Sequence, residues 1–74
     1  MYHTIEFDEA LTLDLQSGEG KPERVSVKKG LRLRARLRPR VLEAAGGPVE
    51  AADLHFEDGT SLRCVPFAAF CFVD

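Results

Sequence analysis

Tryptophan is absent from this chain and tyrosine occurs once, as Tyr2. That scarcity argues against single-strand nucleic-acid recognition by base stacking, which relies on aromatic platforms beside the charge. Two cysteines, Cys64 and Cys71, are too few for the disulfide framework of a secreted miniprotein. Both sit among apolar neighbours and are expected as reduced, buried thiols acting as small hydrophobes. Taken with His3 and His55 they match no C-x2-C or H-x3-H pairing, so neither a metal nor another cofactor is expected. No stretch approaches the roughly 18 apolar residues that span a membrane. The opening Met1-Tyr2-His3-Thr4 lacks the basic segment and apolar run of a signal peptide, so a cytoplasmic protein without a membrane partner is expected.

Catalytic signals are equally sparse. Gly18-Glu19-Gly20 lacks the longer glycine pattern and the Lys-Ser/Thr pair of a phosphate loop, and neither Ser17 nor Ser61 has a nucleophile-elbow context. His55 lies between Leu54 and Phe56 on the polar side of an alternating segment, where a solvated or salt-bridged histidine is the simpler reading. Neither an enzyme nor a small-molecule substrate is therefore expected.

What is present is a foldable composition, 45% hydrophobic and 30% charged, in 74 residues. That length holds one domain, 1–74, with a thin core, and oligomerisation is a common remedy at this size. Residues 3–16 alternate: Ile5, Phe7, Leu11, Leu13 and Leu15 are apolar, while Glu6, Asp8, Thr12 and Asp14 are polar. That is strand period, interrupted at Glu9-Ala10, and predicts one bent strand or two short ones. A loop over 17–22 follows. Val25 and Val27 then open a second apolar set that Lys28-Lys29-Gly30 closes as a turn.

Residues 31–38, Leu-Arg-Leu-Arg-Ala-Arg-Leu-Arg, give the cleanest alternation in the chain. A strand gathers those arginines on one face, whereas a helix would scatter them. Pro39 is expected to end the ladder for want of an amide hydrogen, with residues 40–45 either a helical turn or a kinked continuation, and Gly46-Gly47-Pro48 a break. Residues 49–64 predict a hairpin turning at Asp58-Gly59, with Ala52, Leu54, Phe56, Leu62 and Cys64 inward and Asp53, His55 and Glu57 outward. Pro66 opens a helical turn near 66–70, and Cys71-Phe72-Val73 closes the sheet.

The expected fold is thus all-β, a small barrel or strongly bent antiparallel sheet of five to six strands. In layout, with a tight hairpin and a helical turn before the last strand, it resembles the SH3-like and Sm-like barrels. Neither the acidic and tryptophan-bearing loops of the first nor the signature motifs of the second are present.

The charges are segregated. Residues 21–40 hold nine basic residues against one acidic, a net +8, while the remainder holds Arg63 against eleven carboxylates, a net −10. Lys28, Lys29, Arg32, Arg34, Arg36, Arg38 and Arg40 are therefore the candidates for a polyanion or partner contact. The alternative is an internal ladder, with the carboxylates of neighbouring strands opposite the arginines. Carboxylates in contact with the arginines would favour the ladder; aromatics exposed beside them would favour nucleic acid. Phe67, Phe70 and Phe72 form a dense apolar terminus and are the candidates for an oligomer or partner interface. The expected function is a non-enzymatic interaction module that binds protein and self-associates as a homo-oligomer. The alternative is a nucleic-acid-associated regulatory protein using the basic strand 28–40.

Overall fold

Period-2 alternation produces seven strands, and the computed structural model describes all 74 residues. The strands are β1 (His3–Phe7), β2 (Leu11–Ser17), β3 (Glu23–Val27), β4 (Arg32–Ala44), β5 (Gly47–His55), β6 (Thr60–Pro66) and β7 (Phe70–Phe72). A single 3₁₀ turn, Phe67–Ala69, precedes β7, where Pro66 with φ −61° leads into it. They form one antiparallel sheet in the order β3-β2-β6-β5-β4-β1-β7, curled into a half-barrel. The all-β expectation holds, with seven strands in place of five or six. No helix is long and apolar enough to cross a membrane.

The interruption at residues 8–10 separates two strands that are not neighbours. β1 pairs with β4 and β7, and β2 pairs with β3 and β6. The turn after β3 is stitched to the end of β1, with Gly30 N donating to Phe7 O at 2.8 Å and Phe7 N to Leu31 O at 2.9 Å. Gly30 has φ +90°, a conformation that suits a residue without Cβ. These bonds, with Asp8 N donating to Ala69 O at 2.8 Å, curl the sheet over its inward side chains. Ile5, Phe7, Leu54 and Val65 are fully buried there, and Phe70 is 5% exposed. Each such side chain contributes about 1.5–3 kcal/mol by leaving water.

Pro39 does not end its strand: β4 runs unbroken to Ala44 and pairs with β5 throughout. β1 covers β4 only between Arg32 and Ala35, so beyond that point one edge of β4 is open. A proline whose nitrogen points to an open edge forfeits no ladder bond. The same reason admits Pro48 within β5, because β6 reaches back only to Ala51. Gly46-Gly47-Pro48 is therefore not a break. Ala45-Gly46 is a tight turn and Gly47, at φ +113°, begins β5. Asp58-Gly59 turns the next hairpin as expected, with Thr60 N and Thr60 Oγ1 donating to Asp58 Oδ1 at 2.9 and 2.6 Å.

Return strand β6 departs from simple alternation. Ala52 pairs with Val65 and Leu54 with Leu62, so Arg63 and Cys64 together oppose Asp53 in a β-bulge. Cys64 sits at φ +56°. The bulge shifts the phase, and Val65 faces the core in place of Cys64. The expectation of two buried thiols fails with it: Cys64 is half-buried, Cys71 is exposed and both are free.

Candidate functional site

Alternation along β4 places Leu33, Ala35 and Leu37 toward the core and Arg32, Arg34, Arg36, Arg38 and Arg40 on the outer face, all exposed. Cross-strand register then decides which of them meets a carboxylate. Arg32 lies opposite Glu6, and its Nε donates to Glu6 Oε1 at 2.9 Å. Arg34 lies opposite Thr4, and Arg36 opposite His55. Arg38 lies opposite Asp53, which is turned away from it. Asp53 accepts from Cys64 N at 2.9 Å and lies 3.4 Å from Arg40 Nη1 and 3.7 Å from Arg63 Nε. Arg34, Arg36 and Arg38 thus have no carboxylate within 4.0 Å, while the two ends of the row are pinned.

Lys28 and Lys29 are exposed at the turn that leads into this row, and neither makes an ion pair. Of the carboxylates expected to match the arginines, Glu6 and Asp53 meet the row only at its ends, and Asp14 is engaged off it. Asp14 is bonded to Arg24 at 2.9 Å and lies in register with Arg63 on its other side. From β3 to β4 the outer face therefore carries a row of alternating sign: Arg24, Asp14, Arg63, Asp53, Arg40. Such exposed pairs contribute from near zero to about 1 kcal/mol each.

Asp53 differs from its expected place. It is 3% exposed, buried beneath the guanidinium groups of Arg40 and Arg63, because the bulge folds β6 over it. His55 is half-buried and Glu57 belongs to the turn, so Asp53, His55 and Glu57 do not form one solvent-facing patch.

An aromatic does stand among the arginines. Arg34 Cζ lies 6.0 Å and Arg36 Cζ 5.8 Å from the centroid of the Tyr2 ring, a cation–π arrangement on one ring. The scarcity of aromatics argues against a stacking platform, yet the single tyrosine stands beside the basic strand. Its signal was present in the sequence: carried back one step, the alternation of Glu6 and Thr4 includes Tyr2. Beside it, Met1, Arg36, Leu37, Arg38 and His55 line an open depression.

The three phenylalanines do not form a single exposed surface. Phe70 belongs to the core, a correction to its expected place in an interface. Phe67 is half-buried, and its ring lies 5.4 Å from that of Phe70. Phe72 is 51% exposed, edge-to-face with His3 at 5.3 Å and with Phe70 at 6.0 Å. Phe67 instead joins Val41, Pro48, Val49, Glu50 and Pro66 in lining a second, open groove under the β4–β5 hairpin. Val41 is 61% and Val49 39% exposed.

One cluster offers metal-type donor atoms, those of Glu6, Asp8 and Cys71, within 4.8 Å of one another. Glu6 is already held by Arg32, and the Cys71 thiol donates to Asp8 at 3.6 Å. Local desolvation, followed by the charge and hydrogen bond of Asp8, raises the Cys71 pKa, so the thiolate that a metal requires is disfavoured. His3, His55 and Cys64 are not part of this cluster. No protein-family model, curated protein or solved structure matches this chain.

Proposed function

We propose that this protein is a non-enzymatic interaction module on an SH3-like barrel layout, binding protein and first of all a second copy of itself. The observation that carries the reading is the groove under the β4–β5 hairpin. Val41 and Val49 stand exposed there beside the half-buried Phe67, in a chain whose core cluster numbers ten buried residues. An exposed apolar surface on so small a core is stabilised by being covered. Glu50 lines this groove and has no cation within 4.0 Å, and Arg40 lines an adjoining depression that shares Val41, Glu50 and Phe67 with it. An unpaired carboxylate beside an apolar centre favours a partner that brings a cation to it, and a second copy related by a two-fold axis offers the exposed part of Arg40, which Asp53 already holds within its own chain. The barrel layout is supported by the 3₁₀ turn before β7 and by the pairing of that last strand with β1.

Light scattering across a dilution series, from micromolar to near-millimolar protein, tests the reading. A dimer that dissociates on dilution is expected, and Val41→Glu should shift it to monomer. Because Val41 is exposed, the substitution should alter monomer stability by no more than about 0.5 kcal/mol. A chain that stays monomeric at every concentration would remove self-association from the proposal.

A further inference from the structure

The outer face of β4 carries a separate site. The geometry points to a binding surface for single-stranded nucleic acid built from Arg34, Arg36 and Arg38 around Tyr2, independent of the groove under the hairpin. Three observations converge on it. First, these three arginines lack carboxylates, although the same face pairs its other arginines with Glu6 and Asp53. Uncompensated like charges on alternate residues of one strand repel one another and favour any anion that neutralises them.

Second, their spacing suits an extended phosphodiester chain. Alternate residues of a strand stand about 6.5–7 Å apart, a step that successive phosphates of an unstacked single strand can follow. Each guanidinium offers a planar fork of donors to a phosphate. A duplex holds its phosphates at fixed positions, whereas a flexible single strand can follow a row along one strand of a curled sheet.

Third, Tyr2 supplies the stacking element. Tyr2 is half-buried and the Arg34 and Arg36 guanidinium groups lie over its ring at 6.0 and 5.8 Å, so a base reaches the ring by displacing one of these cations or stacks on the guanidinium planes that the ring supports. An acidic peptide would use the charges but not the ring. It would also gain no main-chain hydrogen bonds, because the arginines project from the sheet face and not from its edge.

The neutralisation of three phosphates sets a magnitude. For single strands the logarithm of affinity falls with a slope of about −0.7 per phosphate, so binding should weaken roughly 20-fold between about 50 and 200 mM salt. The overall charge of −2 adds no long-range attraction, which keeps the interaction local to this face.

Fluorescence anisotropy with a labelled oligouridine, a duplex of equal length and a polyglutamate peptide tests the inference. The oligouridine should bind best, with the stated salt dependence. The triple substitution Arg34→Gln/Arg36→Gln/Arg38→Gln should lose at least tenfold. Tyr2→Ala should lose at least about fivefold, and Tyr2→Phe should bind as the parent does. Lys21→Gln, a basic residue outside the row, should leave binding unchanged, and circular dichroism should show every variant folded. No binding at low salt, equal binding of polyglutamate, or loss on Lys21→Gln as large as on the triple substitution would each overturn the inference.

Discussion

At the residue scale, Asp53 and Phe70 show how much depends on one position of the sheet. Asp53 is a buried carboxylate whose partners, Arg40 and Arg63, are themselves about two-fifths exposed at the side chain. Replacing it with asparagine keeps an oxygen that can accept from Cys64 N but removes the charge that braces β4 to β6 through Arg40 and Arg63, and puts an amide donor where a carboxylate oxygen faced a guanidinium. Asp53→Asn is expected to destabilise the fold by about 1–3 kcal/mol, measured by denaturant unfolding. A loss below about 0.5 kcal/mol would show that the brace contributes nothing beyond an ordinary surface pair. Phe70→Ala should cost about 3–5 kcal/mol, because it empties a core position. Phe72→Ala should cost far less, since half of that side chain is already in water. By contrast, Arg36→Gln trades the cation–π contact with Tyr2 for relief of repulsion between unpaired neighbours and should change stability by no more than about 0.5 kcal/mol in either direction. Unfolding of that variant would assign the arginine to structure.

At the element scale, the β5–β6 hairpin and its bulge carry the testable chemistry. Thr60 donates from its hydroxyl and its amide to Asp58, which holds that carboxyl below its ordinary value of 3.8. A carboxyl depressed in the folded state stabilises the turn fully above its unfolded pKa and loses that stabilisation as pH falls through the lower folded value. The stability gap between the parent and Asp58→Asn should therefore be constant near neutral pH and close below about pH 4. A gap that persists unchanged into strong acid would mean that the turn does not depend on the ionised carboxylate. The bulge is set by Cys64 at φ +56°, a region that a β-branched residue enters only with strain. Cys64→Val should cost about 1–2 kcal/mol while Cys64→Gly is tolerated, read from thermal midpoints. Equal effects of the two would place the cost in the lost side chain and not in the backbone.

At the scale of the whole molecule, segregation of charge along the chain becomes interleaving across the sheet. The strand order β3-β2-β6-β5-β4 brings Arg24, Asp14, Arg63, Asp53 and Arg40 side by side, although they are dispersed in sequence. That arrangement pairs Arg24, Arg40 and Arg63 within the molecule, as Glu6 pairs Arg32, and so offsets part of the +8 and −10 division without a partner. It leaves Lys28 and Lys29 unpaired at the turn before β4 and, on the sheet face itself, Arg34, Arg36 and Arg38. Of the discriminating features named from sequence, carboxylates occur at the ends of the arginine row, and beside its middle stands one aromatic that is half-buried and not exposed. The apolar surface under the β4–β5 hairpin is separate from both. The proposed dimer and the proposed nucleic-acid surface can thus be abolished one at a time, by Val41→Glu and by the triple arginine substitution. A variant that removed both together would contradict this separation.

Period alone was enough to determine much of this. The alternation of residues 3–7, 11–15 and 31–38 specified strands and their inward faces, Asp58-Gly59 specified a hairpin, and Pro66 specified the short turn before the last strand. These are local properties, because side-chain direction repeats every two residues whatever the neighbouring strand is. Pairing is not local. Only the tertiary structure decided that β1 ends its contact with β4 at Ala35, leaving Arg36 and its successors to face β5, and that an open edge lets Pro39 and Pro48 remain in strands. Only the bulge at Arg63-Cys64 decided that Asp53 is buried and turned from Arg38 to Arg40. One sequence position forward or back in register would give each arginine a different partner, and register is set by the packing of the whole sheet.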